Sequence, residues 1–139
     1  MLIQLQRLHA TILAGLDELD ALTAQPQPPM DRLPALRLTL TRASRARFML
    51  LERIYEQLIT HGPSDRAAEI QALRVEGRGN RVASTLHIGT WTLREITARW
   101  PDYCAASNAM RSAMRQRVRK EAAIIYPLLS ASSVRVSAA

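Results

Sequence analysis

Arg117 stands four residues before Glu121 in the stretch RQRVRKEAAIIYPLL, residues 115–129, on a face otherwise made of Met, Ala and Ile. On a helix that spacing sets a guanidinium beside a carboxylate. Similar interruptions recur when residues are placed at about 100° per position. His9 sits in the middle of the stripe Leu2, Leu5, Ile12, Leu13 and Leu16. Arg47 interrupts Leu33, Leu36, Leu40, Leu51, Ile54 and Leu58. Gly77 is flanked by Ile70, Leu73, Ile88 and Trp91, with Asn80, Arg81 and Ser84 nearby. Met110, Met114, Ile124, Ile125 and Leu128 surround Arg117 and Glu121. A charge on an inward face is costly unless it is paired and hydrogen-bonded. These interruptions are expected to fall at a similar height, as a polar site at the waist of a bundle. The alternative is that Arg47 and Arg117 reach sideways to water between the helices.

Such a cluster reads either as a purely structural ion-pair network or, more sharply, as a ligand pocket. Arg47, Arg117 and Arg81 against Glu121 leave a positive excess, which a small anion would satisfy by bidentate contacts. Glu76 or Glu52 would supply a second carboxylate. No Ser–His–acid arrangement and no Gly-rich phosphate loop can be read, so no catalytic residue is assigned and an enzyme is not expected. His61, at a helix end, and Cys104, beside Trp100 and Tyr103, read as structural. His87 has no second His or Cys at i±3 or i±4, so a zinc site there is not expected. Arg111, Arg115 and Arg119 read as a solvated outer stripe, with an acidic partner as the alternative.

Positioning these residues requires helices. Ala, Leu and Arg dominate, β-branched runs are almost absent and only 5 Gly occur, a composition that favours helix. The period predicts a helix from Leu2 to about Ala24, ended by QPQPP, because Pro neither continues the hydrogen-bond ladder nor lets its predecessor stay helical. A second runs from about Arg32 to Thr60. HGPSD then offers Gly62 as a C-terminal cap and Ser64 or Asp65 as the next N-cap. A third runs from about Arg66 to Arg99, bent or frayed near Gly77 and Gly79. Trp100-Pro101-Asp102 breaks it, and a fourth reaches about Ser130. Four long helices with short connections predict an all-α, up-down-up-down four-helix bundle over residues 1–130, with 131–139 as a flexible tail.

Bulk properties exclude several classes. A chain of 139 residues suits one domain. No apolar run has the roughly 18 residues of a membrane span, the start has no basic n-region, and a lone cysteine fits a reducing compartment; the cytoplasm is the expected location. The net charge of +7 comes from 18 Arg and one Lys spread over all the helices, so a nucleic-acid footprint is not expected.

The layout resembles the hemerythrin-like, or HHE cation-binding, domains over about residues 2–129. Their pattern is a His early in the first helix, His-x-x-x-Glu in the second, Glu-His in the third, and His-x-x-x-Glu with an aliphatic-Tyr-Pro in the fourth. LQRLHATILAGLDEL carries the first His as His9. RFMLLERIYEQLI has Arg47 at the His and Leu51 at the Glu. LRVEGRGNR keeps Glu76 and puts Gly77 at the His. RVRKEAAIIYPLL has Arg117 at the His, keeps Glu121, and keeps Ile125-Tyr126-Pro127. The resemblance implies the helical bundle but not its di-iron chemistry: His9 and Glu121 are the two ligand-like residues left at matched positions, and Arg does not become a ligand. Metal and cofactor are therefore not expected, iron included.

Function follows as an expectation. The chain reads as a non-enzymatic bundle that has lost its di-iron site and serves as a regulatory, small-ligand-sensing or protein-interaction module. The alternative is a metal- or dioxygen-binding protein with an altered ligand set around His9 and Glu121. The core cluster comprises His9, Arg47, Leu51, Gly77, Arg117 and Glu121, with Glu76, Asn80 and Arg81 as further ligand-binding residues. Loss of an imidazole at Gly77 leaves either a cavity or a closer helix approach. A second apolar stripe, Val75, Val82, Leu86 and Leu93, lies nearly opposite Gly77 and predicts a homodimer.

Overall fold

The computed structural model describes the backbone of residues 1–138 and the side chains of residues 1–131. The described chain is all-helical, with no strand: α1 (Leu2–Thr23), α2 (Leu33–His61), a 3-10 turn (Ser64–Arg66), α3 (Ala67–Thr90), α4 (Leu93–Ala98) and α5 (Trp100–Ala138). The backbone of α5 stays helical across most of the segment expected as a tail, and the side chains of residues 132–139 lie outside those described.

The punctuation works largely as read, with two corrections. The 3-10 turn takes up Ser64 and Asp65, and neither caps α3, which starts without a side-chain cap. Gly62 does close α2: its N–H donates to the Leu58 carbonyl, and a Cβ at Gly62 would collide with that same oxygen. The third helix does not reach Arg99, nor does it break at its glycines. It runs unbroken through Gly77 and Gly79 and stops at Trp91. Thr92 then caps a separate short helix, its hydroxyl accepting from the Glu95 N–H at 3.3 Å. Thr92-Leu93-Arg94-Glu95 is a capping-box signature, so the sequence did carry the signal for this break.

Apolar contacts link the helices at three levels. Leu5 of α1, Leu50, Ile54 and Leu58 of α2, Ile70 and Leu73 of α3, and Ile125 and Leu128 of α5 form one cluster. Leu19, Leu22, Leu33, Leu36, Trp91, Ile96, Trp100 and Tyr103 form another. Between them lie Ile12, Leu16, Ala43 and Val118. The loop after α1 is tied down by Trp100, whose indole N–H donates to the Gln25 carbonyl at 3.0 Å. Leu13 and Ile88, expected inside, are instead at least partly exposed.

The arginines expected as a solvated outer stripe on α5 are mostly paired with α1. Arg111 is buried, donating from Nε to Asp20 Oδ1 at 2.7 Å and from Nη1 to Ser107. Arg115 bridges Asp17 and Asp20. These two arginines clamp α5 to α1, and Arg119 alone of the three stays outside, exposed. A wheel drawn for α5 does not reveal that the two aspartates of α1 face it.

Candidate functional site: an ion cluster beside an arginine-lined cleft

Glu121 lies at the centre of the core with 0 % of its surface exposed. Each neighbour comes from a different turn or helix. Arg117, one turn earlier on α5, donates from Nε to Oε2 at 2.7 Å. Arg47 of α2 donates from Nε to Oε1 at 3.0 Å and from Nη2 to Oε2 at 3.2 Å. His9 of α1 donates from Nε2 to Oε1 at 2.8 Å, and its Nδ1 pairs with the Tyr126 hydroxyl. Both carboxylate oxygens are thus shared among three donors. Burial pushes the Glu121 carboxyl up, but the His9 hydrogen bond and the two guanidinium groups outweigh it, leaving it below the usual carboxylate range. The carboxylate is the charged form here.

Gly77 is explained by Arg117. A Cβ on Gly77 would lie 2.5 Å from Arg117 Nη2. That nitrogen occupies the space an α3 side chain would fill, donating to the Leu73 carbonyl at 2.8 Å and to the Tyr55 hydroxyl at 3.1 Å. The room left by glycine is therefore filled by a guanidinium. Burial, then the Glu121 charge, pushes the Tyr55 hydroxyl well above its ordinary value, so it stays protonated.

The expected residues divide clearly. His9, Arg47, Gly77, Arg117 and Glu121 come together. Leu51 does not join them; it packs in the apolar cluster of Leu50, Ile54 and Leu58. Glu52 is turned outward to Arg74 and Arg78. Glu76 holds Lys120 at 2.7 Å and approaches Arg117 Nη1 only to 4.0 Å. Asn80 and Arg81 are exposed and lie along a cleft. Tyr55 and Tyr126 were not assigned to the cluster from sequence. Tyr55 was legible, since it continues the four-residue steps Arg47, Leu51, Tyr55 along one face of α2.

The donor set does not fit a di-iron centre. Beyond His9, the cluster's one carboxylate is saturated by guanidinium N–H groups, which carry no lone pair for a metal. Among the described residues no three His, Cys, Asp or Glu side chains converge as a ligand group. With one negative charge set against Arg47 and Arg117, the cluster carries a positive excess. Arg117 Nη1 is buried without a hydrogen-bond partner, alone among the described side-chain nitrogens and oxygens.

Beside the cluster α3 opens away. Its first half buries Ile70, Leu73 and Gly77, whereas nothing in residues 78–90 is fully buried. The α3 side chains along the opening include Asn80, Ser84 and His87, which are small or polar and do not act as packing knobs. The result is a cleft of about 280 Å³. Its apolar surface comes from residues such as Ile12, Leu16, Leu40, Met110 and Met114. Arg37, Arg45, Arg47, Arg81, Arg111 and Arg117 also line it, and no Asp or Glu does. Burial, then Arg37, pushes the His87 imidazole below its usual range, so it adds no charge near neutral pH. No protein-family model, curated protein or solved structure matches the chain.

Proposed function

We propose that this chain is a degenerate hemerythrin-like bundle, up-down-up-down in its four long helices, in which an Arg–Glu–His cluster replaces a di-iron site. It acts without catalysis, as a regulatory module that responds to a small anionic ligand. One observation carries this reading: the single core carboxylate, Glu121, is encircled by Arg47, Arg117 and His9. The alternating membership of the apolar clusters supports the helix order, since the start of α1 packs with the end of α2 and the end of α1 with the start of α2. The exposed side chains Val75, Val82 and Leu86 of α3, with Leu93 on α4 beyond the break, supply apolar surface for a second copy or a protein partner. The cytoplasm suits a module of this kind, and the dispersed arginines do not compose a nucleic-acid footprint.

Protein purified from iron-supplemented cells tests the reading directly. Elemental analysis is expected to find no stoichiometric transition metal and visible spectroscopy no absorption band. A thermal-shift screen of small anions is expected to raise the melting temperature for at least one. Stoichiometric iron with a visible spectrum would favour the metal- or dioxygen-binding alternative around His9 and Glu121. No stabilisation by any anion, with Arg47→Met as stable as the parent, would reduce the cluster to a structural remnant.

A further inference from the structure

The geometry points to one ligand class for the cleft: a small monocarboxylate with an aliphatic body, its head held by Arg45 and Arg81 and its chain laid on Ile12, Leu16, Met110 and Met114. This rests on the anion-responsive reading above and narrows it to a class and a seat.

The cleft's arginines are not equivalent. Arg37 donates to the Trp91 carbonyl at 2.6 Å. Arg111 is held by Asp20, and Arg47 and Arg117 by Glu121. Arg45 and Arg81 form no ion pair with a carboxylate among the described residues, and both are exposed where they line the cleft. Arg81 is held in place, its guanidinium lying 4.3 Å over the Phe48 ring, an arrangement that leaves its N–H edges free. A carboxylate is the group that two free guanidinium edges recognise best. Deeper in, Arg47 and Arg117 against Glu121 keep the potential positive, and the cleft has no acid to repel the ligand.

The rest of the surface calls for carbon. Three leucines, two isoleucines and two methionines line the cleft together with Phe48, and methionine adapts its shape to an aliphatic chain. The space of about 280 Å³ lies just under the roughly 300–1,000 Å³ of pockets that hold drug-sized ligands, so it suits a small molecule with a short aliphatic chain. An inorganic anion would leave the apolar surface wet, and a neutral lipid would leave the arginines unused.

Calorimetry and thermal shift on the full chain, with octanoate, 1-octanol and acetate as probes, test this. Octanoate is expected to bind at one site per chain and raise the melting temperature, with octanol and acetate each at least about tenfold weaker. The double variant Arg45→Gln/Arg81→Gln, at exposed positions where folding is preserved, is expected to weaken octanoate about tenfold and leave octanol unchanged. Ser84→Trp, which fills the cleft from α3, is expected to abolish octanoate binding while the helical circular dichroism persists. Equal binding of octanol overturns the role of the arginines, and equal binding of acetate overturns the apolar seat. If acetate or phosphate stabilises the protein and octanoate does not, this ligand class fails while the anion-responsive reading stands. If no anion acts, both fail.

Discussion

Glu121 holds three donors from three helices or turns, and removing its charge would leave two buried guanidinium groups facing each other. Glu121→Gln is expected to lower stability by about 3–5 kcal/mol, the usual cost of breaking one side of a buried ion pair. Denaturant titration at neutral pH measures it, and a loss below about 1 kcal/mol would mean the arginines find other partners. The same carboxylate sets an acid limit. Its folded pKa lies below the ordinary value of 4.5, so the unfolded chain takes up the proton first as pH falls. The stabilisation is complete above about pH 4.5 and is lost as pH falls through the folded value. Asp20, lowered chiefly by its hydrogen bond from Arg115, acts with the same sign but more weakly, since it is largely solvated. The stability–pH profile of Glu121→Gln is therefore expected to be flatter below pH 4.5 than that of the parent.

Within α3 two glycines two residues apart have opposite roles. At Gly79 a Cβ would meet nothing within 4 Å, so Gly79→Ala is expected to stabilise by about 0.5–1 kcal/mol through helix propensity. At Gly77 the same change pushes Arg117 Nη2 off Leu73 and Tyr55. The loss of two hydrogen bonds, about 1 kcal/mol each, exceeds the propensity gain. Gly77→Ala is expected to be destabilising by about 1 kcal/mol, and thermal melts of the two variants side by side give the sign. The break after Thr90 belongs to this scale too. A period count carries the apolar pattern across Trp91 because a capped restart two residues later leaves the hydrophobic spacing nearly intact, whereas Thr92 and Glu95 were the residues to read.

Across the whole molecule, α3 is the least enclosed long helix. One face of its second half borders the cleft, and the opposite side of the helix exposes Val75, Val82 and Leu86, the last with 66 % of its surface in solvent. Leu93 is exposed as well, but it stands on α4 beyond the break, so the stripe is continuous over three residues and not four. Covering these side chains with a second copy is the arrangement their exposure favours. Light scattering at high protein concentration is expected to give twice the chain mass, and Leu86→Arg to return it to one. A single-chain mass for the parent at all concentrations rejects the dimer.

The helical class, the ends of the first two helices and the meeting of His9, Arg47, Gly77, Arg117 and Glu121 could be read from the sequence alone. Helix periodicity settles which residues share a face, and the cost of a lone buried charge forces such residues to find one another. Tertiary structure alone decided how the pairing was distributed. Arg111 and Arg115 look solvated on their own helix but meet Asp17 and Asp20 of α1, because a helical wheel records direction without recording what stands opposite. The space at Gly77 depended likewise on a neighbour, the Arg117 guanidinium. The cleft followed from an absence of packing knobs on α3, which becomes a cavity only once three other helices fix the distance it fails to span.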